Sequence, residues 1–483
     1  MNSKSVFSNF LWRFLERCGA QAVTFVVSII LARLLDPEVY GLVALVTVFT
    51  TVMQVFVDSG MGNALIQKKN ADDLDFSSVF WFNLGMCSLL YLIMFFLAPL
   101  IAAFYKMPDL TPIIRVISLM LVISGIKNIQ QAYVSRNMLF KRFFFATLGG
   151  TIGAAIVGIL MAYYGFGVWA LVAQMLFNAT VDTAILWLTV KWRPKVVFSF
   201  NRLKGLFSYG WKLLCSSLIN TLYTKIRQLI IGKHYSSADL AFYTKGDLFP
   251  NALVTNINTS IDSVLLPAMS QAQDERDNVR SMTRRAIKTS TYIMMPMMFG
   301  LTVIATPLVR VLLTEKWLES VFFLRIFCFV YAFQPLQTAN LNAIKAMGRS
   351  DLFLRLEIIK KLVGLTAMLA TVFISVKVMA CSYLITTILS VCINSYPNKK
   401  LLNYSIKQQL LDIIPSVALS TVMFMSCLCV KFLNLADIPT ILLQIVVGAS
   451  MYIGLSVLFK LESFTYLITV CRRILDKNER KKQ

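Results

Sequence analysis

Long apolar stretches separated by short polar ones run nearly the whole length of the chain. Crossing hydrocarbon takes roughly 20 apolar residues. Fourteen stretches qualify, near residues 10–34, 39–64, 78–105, 112–135, 143–164, 167–190, 206–231, 238–266, 289–313, 320–345, 356–376, 378–396, 410–432 and 438–459. Lipid leaves backbone polar groups to be satisfied within each segment, so every stretch is predicted to be an α-helix. The expected fold is an all-α polytopic membrane protein with about 14 transmembrane helices.

The polar positions inside these stretches recur. Val57-Asp58-Ser59-Gly60-Met61-Gly62-Asn63-Ala64-Leu65-Ile66-Gln67 is echoed by Ile261-Asp262-Ser263-Val264-Leu265-Leu266-Pro267-Ala268-Met269-Ser270-Gln271, with four of eleven positions identical at an offset of 204. Upstream, Thr47, Thr51, Gln54 and Asp58 share the spacing of Asn251, Thr255, Asn258 and Asp262. Steps of 4, 3 and 4 keep to one helix face. In the preceding pair of segments, Arg13, Arg17, Gln21 and Ser28 match Lys212, Ser216, Asn220 and Arg227 at an offset of 199. Two neighbouring helices therefore recur with their polar stripes, and a polar face repeated within apolar segments is expected to line a shared aqueous cavity.

An offset near 200 displaces the pattern by six spans, an even number, so the two halves insert in the same orientation as parallel repeats. Weaker echoes extend the match: Leu97-Ala98-Pro99-Leu100 with Ala305-Thr306-Pro307-Leu308, and Gln131-Ala132 with Asn342-Ala343. The predicted organisation is an N-terminal six-helix lobe (1–200), a C-terminal six-helix lobe (201–400), two extra transmembrane helices (401–462) and a basic cytoplasmic tail (463–483). The extra helices hold almost no ionisable residue beyond Asp412 and Lys431 and are expected outside the lobes.

Composition agrees with the pattern. Hydrophobic residues make up 57% of the 483 and charged ones only 15%, with a mean hydropathy of +0.68, which excludes a soluble globular protein. The net charge of +23 collects in alternate loops: Lys68 and Lys69; Arg136, Lys141 and Arg142; Lys191, Arg193, Lys195, Arg202 and Lys204; Arg276, Arg280, Arg284, Arg285 and Lys288; Lys345, Arg349, Arg355, Lys360 and Lys361; Lys399, Lys400 and Lys407. By the positive-inside rule these loops and both termini are cytoplasmic. The charge is thus read as topology plus attraction to anionic lipid, not nucleic-acid binding. The N-terminus, with Lys4, Arg13, Glu16 and Arg17 before its apolar run, reads as a retained first span rather than a cleaved signal.

Several chemistries are unsupported. No G-x-x-x-x-G-K-S/T loop or H-E-x-x-H motif is present, the nine cysteines are scattered without metal spacing, and His234 falls in a predicted outer loop. Asp73-Leu74-Asp75 matches the D-x-D of metal-dependent sugar transferases but lacks a nucleotide-binding domain around it. No catalytic residue, metal site or cofactor is expected. A coupling ion, H+ or Na+, stays open.

What stands out is charge inside spans. Each such residue costs roughly 2.5–3.5 kcal/mol on insertion scales and persists where it faces a cavity or a partner. The candidates are Arg13, Arg17 and Gln21 in the first span; Asp58 in the second; Lys212, Asn220, Lys225 and Arg227 in the seventh; and Lys245, Asp247, Asn251, Asn258 and Asp262 in the eighth. Arg13, Arg17 and Lys212 could instead snorkel to headgroups, and Asp58 and Asp262 could cap helix ends. Arg115, Lys127 and Arg325 are weaker candidates, and Asp182 could pair internally. Cations exceed acids, which favours an anionic passenger such as a phosphate group. Asn, Gln, Ser and Thr beside Trp12, Tyr209, Trp211, Tyr223 and Tyr243 suit sugar rings, with any lipid tail left in the bilayer.

Six, six and two spans, an opening Ser8-Asn9-Phe10-Leu11-Trp12, and Leu34-Leu35-Asp36-Pro37-Glu38-Val39-Tyr40-Gly41-Leu42 between spans one and two together resemble the polysaccharide transporter family. This is the family of Wzx-type O-antigen and exopolysaccharide flippases, within the multidrug, oligosaccharidyl-lipid and polysaccharide exporter superfamily. Ala238-Asp239-Leu240-Ala241-Phe242-Tyr243 resembles a worn second copy of the same signature. The resemblance implies a bacterial inner-membrane flippase that moves undecaprenyl-diphosphate-linked oligosaccharide to the periplasmic leaflet by alternating access. Other polysaccharide-assembly membrane proteins are possible partners. By position, Arg13, Arg17, Lys212, Lys225, Arg227 and Lys245 would meet the diphosphate, and Asp58, Asp247 and Asp262 would bind a coupling ion or form structural pairs. The alternatives are a cation-coupled drug exporter of the same fold, for which an acidic aromatic pocket would be expected, and a glycan polymerase or ligase, for which the outer loops are too short.

Overall fold

The computed structural model describes the backbone of residues 3–58, 61–68, 71–137 and 139–479. The side chains of residues 3–18, 63, 67, 140–142, 206, 208–210, 212–213, 260, 470–471 and 473–479 lie outside the description. Every regular element among the described residues is helical. The chain divides into two compact units, Met1–Ala241 and Phe242–Gln483.

The first unit holds α1 (Ser3–Leu34), α2 (Pro37–Asp58), α3 (Met61–Gln67), α4 (Asp73–Tyr105), α5 (Leu110–Ile117), α6 (Leu119–Arg136), α7 (Phe140–Tyr163), α8 (Val168–Thr189) and α9 (Phe200–His234). Helix α10 (Ser237–Gln271) begins in this unit and continues into the second. The second unit goes on with α11 (Arg276–Leu313), α12 (Ser320–Ala332), α13 (Gln334–Ala346), α14 (Ser350–Thr371), α15 (Val376–Leu401), α16 (Ile406–Cys429), α17 (Asp437–Leu458) and α18 (Glu462–Glu479).

Each of the fourteen predicted stretches holds helix among the described residues, and ten segments among these residues are long and apolar enough to cross a bilayer. The remaining four stretches are α1, α9, α10 and α14. In α1 the described side chains cover only Gly19–Leu34, an apolar run shorter than a span, whereas in α9 and α10 the charge that marks them as candidates for a cavity is also what lowers their apolarity. In α14 the cause is Asp351, Arg355, Glu357, Lys360 and Lys361. The second stretch holds both α2 and α3, on either side of residues 59–60, which lie outside the description, and the fourth and tenth are each split in two, at Ser118 and at Phe333. At Phe333 the reason is Pro335, which has no N–H to continue the preceding helix and sits in the first turn of the next.

In the first unit α7 packs along both α1 and α8, and α9 lies on α2, α3 and α4. One core gathers Met61, Leu65, Phe76, Phe80, Ile129 and Trp192, and a second gathers Val27, Leu31, Val43, Ala170 and Leu171. The Leu34–Leu42 signature has a local reason: a Cβ on Gly41 would lie 1.7 Å from the Ser237 carbonyl oxygen. Only glycine lets backbone approach backbone so closely.

The Asp73-Leu74-Asp75 motif is a structural clasp. Asp72 and Asp75 cap the start of α4 reciprocally, each accepting the other's backbone N–H. Asp75 is fully buried and pairs with Lys68 Nζ at 2.6 Å and Arg202 at 3.4 Å, while Asp73 pairs with Lys195 at 2.7 Å. Backbone N–H groups of Lys195 and Ser199 donate to Ser77 and Ser78. The basic 191–202 segment is thereby pinned to α4, and both acids are engaged by lysine and arginine.

In the second unit α11 is the hub, packing on α12, α13, α16 and α17, while α15 covers α12, α13 and α14. The predicted extra helices are attached by Arg284, which grips Asp412 with two hydrogen bonds of 2.7 and 2.8 Å, and by Tyr404, which donates to the same carboxylate at 2.8 Å. Within the predicted tail, α18 is an amphipathic helix tied back by Glu462 to Lys288, by Phe464 against Tyr292, and by Tyr466 beneath Arg285.

Candidate functional site: the polar faces of the charge-bearing helices

In the first unit the stripe of α2 folds onto itself. Thr47 and Thr51 donate to carbonyls one turn back, and Gln54 Nε2 donates to Asp58 Oδ1 at 3.3 Å, leaving Asp58 exposed at the helix end. On α9, Asn220 is exposed and Lys225 and Arg227 are half-buried. Gln21 on α1 is exposed. Arg13 and Arg17 on α1, and Lys212 on α9, fall among the side chains outside the description.

The weaker candidates are absorbed inside their own units. Lys127 on α6 forms a 2.9 Å ion pair with Asp182 on α8. Arg115 stacks over Phe95 at 4.3 Å and donates to its carbonyl. Arg325 donates to Thr306 at 2.9 Å.

In the second unit the predicted stripe is a hydrogen-bonded ladder on α10. Thr255 donates to Asn251 Oδ1 at 2.8 Å, and Asn251 Nδ2 donates to Asp247 at 3.2 Å. Tyr331, on α12, donates to the other oxygen of Asp247 at 2.6 Å. With two donors on its carboxylate, Asp247 has the geometry of a structural pair. Lys245 sits elsewhere: it is 7% exposed, with its ammonium 5.6 Å from the ring centre of Trp317. Two residues along a helix is more than half a turn, so Lys245 is turned away from the face that carries Asp247.

Below the ladder, Asn258 and Asp262 open onto a cavity of about 280 Å³ shared with Gln334, Thr338, Leu341, Asn342 and Lys345 of α13. The α13 residues were not among the predicted site residues. Their signal was present in the sequence, because 334, 338, 341, 342 and 345 keep to one helix face, and Asn342 had surfaced only as an echo of Gln131.

Ten segments among the described residues that are long and apolar enough to cross a membrane, together with helices whose polar groups are concentrated on one side, define a multi-pass membrane protein. The family model described as "Polysaccharide biosynthesis protein" matches residues 30–322, and the chain belongs to that family. Among curated relatives it is 26% identical over 318 residues to the succinoglycan biosynthesis transport protein ExoT of Rhizobium meliloti (strain 1021), covering 66% of this chain and 64% of that one. It is 27% identical over 310 residues to the teichuronic acid biosynthesis protein TuaB of Bacillus subtilis (strain 168), covering 63% of each. The chain thus spans somewhat less than two thirds of the length of these two relatives. The lipopolysaccharide biosynthesis protein WzxC of Escherichia coli (strain K12) is 23% identical over 340 residues, with 68% of each chain covered. Among solved structures, the lipid II flippase MurJ in an inward closed conformation superposes with a TM-score of 0.73 at 16% identity, over 95% of this chain and 99% of that one. An inward-facing multidrug resistance MATE family transporter superposes with a TM-score of 0.59 at 13% identity, over 83% and 96%. The fold is MurJ- and MATE-like.

Proposed function

We propose that this protein is a flippase that carries undecaprenyl-diphosphate-linked oligosaccharide across the bacterial inner membrane during surface polysaccharide synthesis. The observation that carries the reading is the pairing of family membership with polar, net-cationic faces on helices of an otherwise apolar chain. Relatives named for transport or biosynthesis of succinoglycan, teichuronic acid and lipopolysaccharide support the glycan class. In this reading the chain crosses the membrane fourteen times, as two parallel six-helix lobes and two extra helices, with both termini cytoplasmic.

The residues divide by chemistry. Lys225 and Arg227, with Arg13, Arg17 and Lys212, supply positive charge to a diphosphate. Gln21, Asn220, Asn251 and Asn258 offer hydrogen bonds to hydroxyl groups. Asp58 and Asp262 are exposed acids suited to a coupling cation, whereas Asp247 is engaged by Tyr331. The protein performs no covalent chemistry in this scheme: the lobes alternate access while the lipid tail stays in the bilayer. Deleting the gene should trap the lipid-linked glycan on the cytoplasmic leaflet. Unchanged surface polysaccharide in the deletion strain would refute the proposal.

A further inference from the structure

The cavity between the lower half of α10 and α13 contains groups that the protein itself leaves unsatisfied. Asn342 is 1% exposed, yet neither its amide nitrogen nor its oxygen has a hydrogen-bond partner, and the Asn258 side-chain oxygen is likewise buried and unpartnered. Buried polar groups are nearly always paired, and an amide with both atoms unmet weakens the fold that holds it. Retaining such a group is reasonable where a ligand supplies the missing bonds. Both unmet residues line the same cavity, opposite one another on two helices.

The lining selects the ligand class. Asn342 offers a donor and an acceptor side by side, matching adjacent hydroxyls that each accept and donate. Thr338 and Gln334 continue the polar edge, and Leu341 supplies an apolar surface for the C–H face of a ring. The single lysine, Lys345, rests on the Phe353 ring at 4.9 Å and is balanced by Asp262, so the cavity has no cationic excess with which to hold a diphosphate. Its volume, about 280 Å³, is at the lower end of the ~300–1,000 Å³ typical of small-molecule sites, which suits one saccharide ring rather than a chain.

We infer that Asn342, Thr338 and Asn258 form a saccharide subsite that reads hydroxyls of the glycan, separately from the cations that hold its diphosphate. The inference rests on the flippase reading and adds to it the residues that determine glycan recognition. A neutral subsite and a cationic one make separable contributions, so they can be dissected with two probes.

The test uses the full-length protein in lipid nanodiscs and two probes, polyprenyl diphosphate bearing its oligosaccharide and the same lipid without sugar. Asn342→Leu and Thr338→Val should each weaken binding of the glycosylated probe about tenfold, the value of one hydrogen bond, and leave the bare probe unchanged. Asn342→Leu should melt no lower than wild type, because the amide it replaces bonds to nothing in the protein. Should that variant fail to fold, Thr338→Val alone decides the question. Equal losses for both probes, or none for either, would overturn the subsite. So would an altered Na+ dependence at an unchanged ratio of the two affinities, which would make the cavity a cation site. If Lys225→Ala/Arg227→Ala weakens both probes while Asn342→Leu and Thr338→Val weaken neither, the subsite fails and the flippase reading stands. If wild-type protein binds neither probe, the flippase reading itself fails.

Discussion

The two units join their helices in different ways. In the first, α6 and α8 are clasped by an ion pair, Lys127 with Asp182, both largely buried. In the second, α13 and α15 are clasped by neutral amides and hydroxyls. Asn398 Nδ2 donates to Asn340 Oδ1 at 2.6 Å, Asn340 Nδ2 donates to Ser395 and to Gln409 Oε1 at 3.3 and 2.8 Å, and Asn394 Nδ2 donates to Gln337 at 3.2 Å. Gln409 belongs to α16, so the neutral clasp also carries the first extra helix. A charged clasp concentrates its stabilisation in one contact, and losing one partner strands a charge in an apolar setting. An amide network spreads the same task over several weaker bonds and can admit a third helix.

The charged clasp should break hardest. Lys127→Met leaves Asp182 with an unpaired buried carboxylate and should destabilise the protein by about 3 kcal/mol, whereas adding Asp182→Leu should recover most of that loss. Thermal unfolding of both variants in detergent checks this, and a double variant as unstable as the single one would contradict it. The neutral clasp should break less sharply. Asn340→Leu removes one node from a shared network and should cost about 2 kcal/mol, with increased protease access to the α15–α16 connection as the local readout.

The smallest effect belongs to the cap at the start of α4, where Asp72→Ala should cost about 1 kcal/mol. The Asp75 backbone N–H bonded to the Asp72 carboxylate, with Arg202 and Lys68 nearby, holds that carboxyl below the usual carboxylate range. Its folded value is lower than its unfolded one, so the stabilisation is present at neutral pH. It disappears as pH falls below about 4, through the lowered value. The stability difference between wild type and Asp72→Ala should therefore narrow on acidification, and a constant gap from pH 7 to pH 3 would exclude the cap as its source.

The helices themselves were legible because lipid permits few alternatives to helix, so apolar length alone located them. The recurrent stripes were legible because helical spacing survives sequence drift. The polar clasps were not, since Lys127 and Asp182 lie 55 residues apart and nothing local names the partner. Lys245 differs from the stripe residues. Its charge placed it among the candidates, but its position two residues from Asp247 already put it off the stripe, and Trp317, far away in sequence, covers it. For α13 the spacing of Gln334, Thr338 and Asn342 was visible, yet without a charge it did not stand out from an ordinary helix face.

The central claim is that cations on these helices carry a lipid diphosphate across the membrane. Leaflet-specific labelling of the lipid-linked glycan in a deletion strain complemented with Lys225→Ala/Arg227→Ala tests it most directly. With the variant folded and expressed at wild-type level, the glycan should accumulate on the cytoplasmic side with at least a tenfold drop in transport. A wild-type distribution between the leaflets would contradict the account.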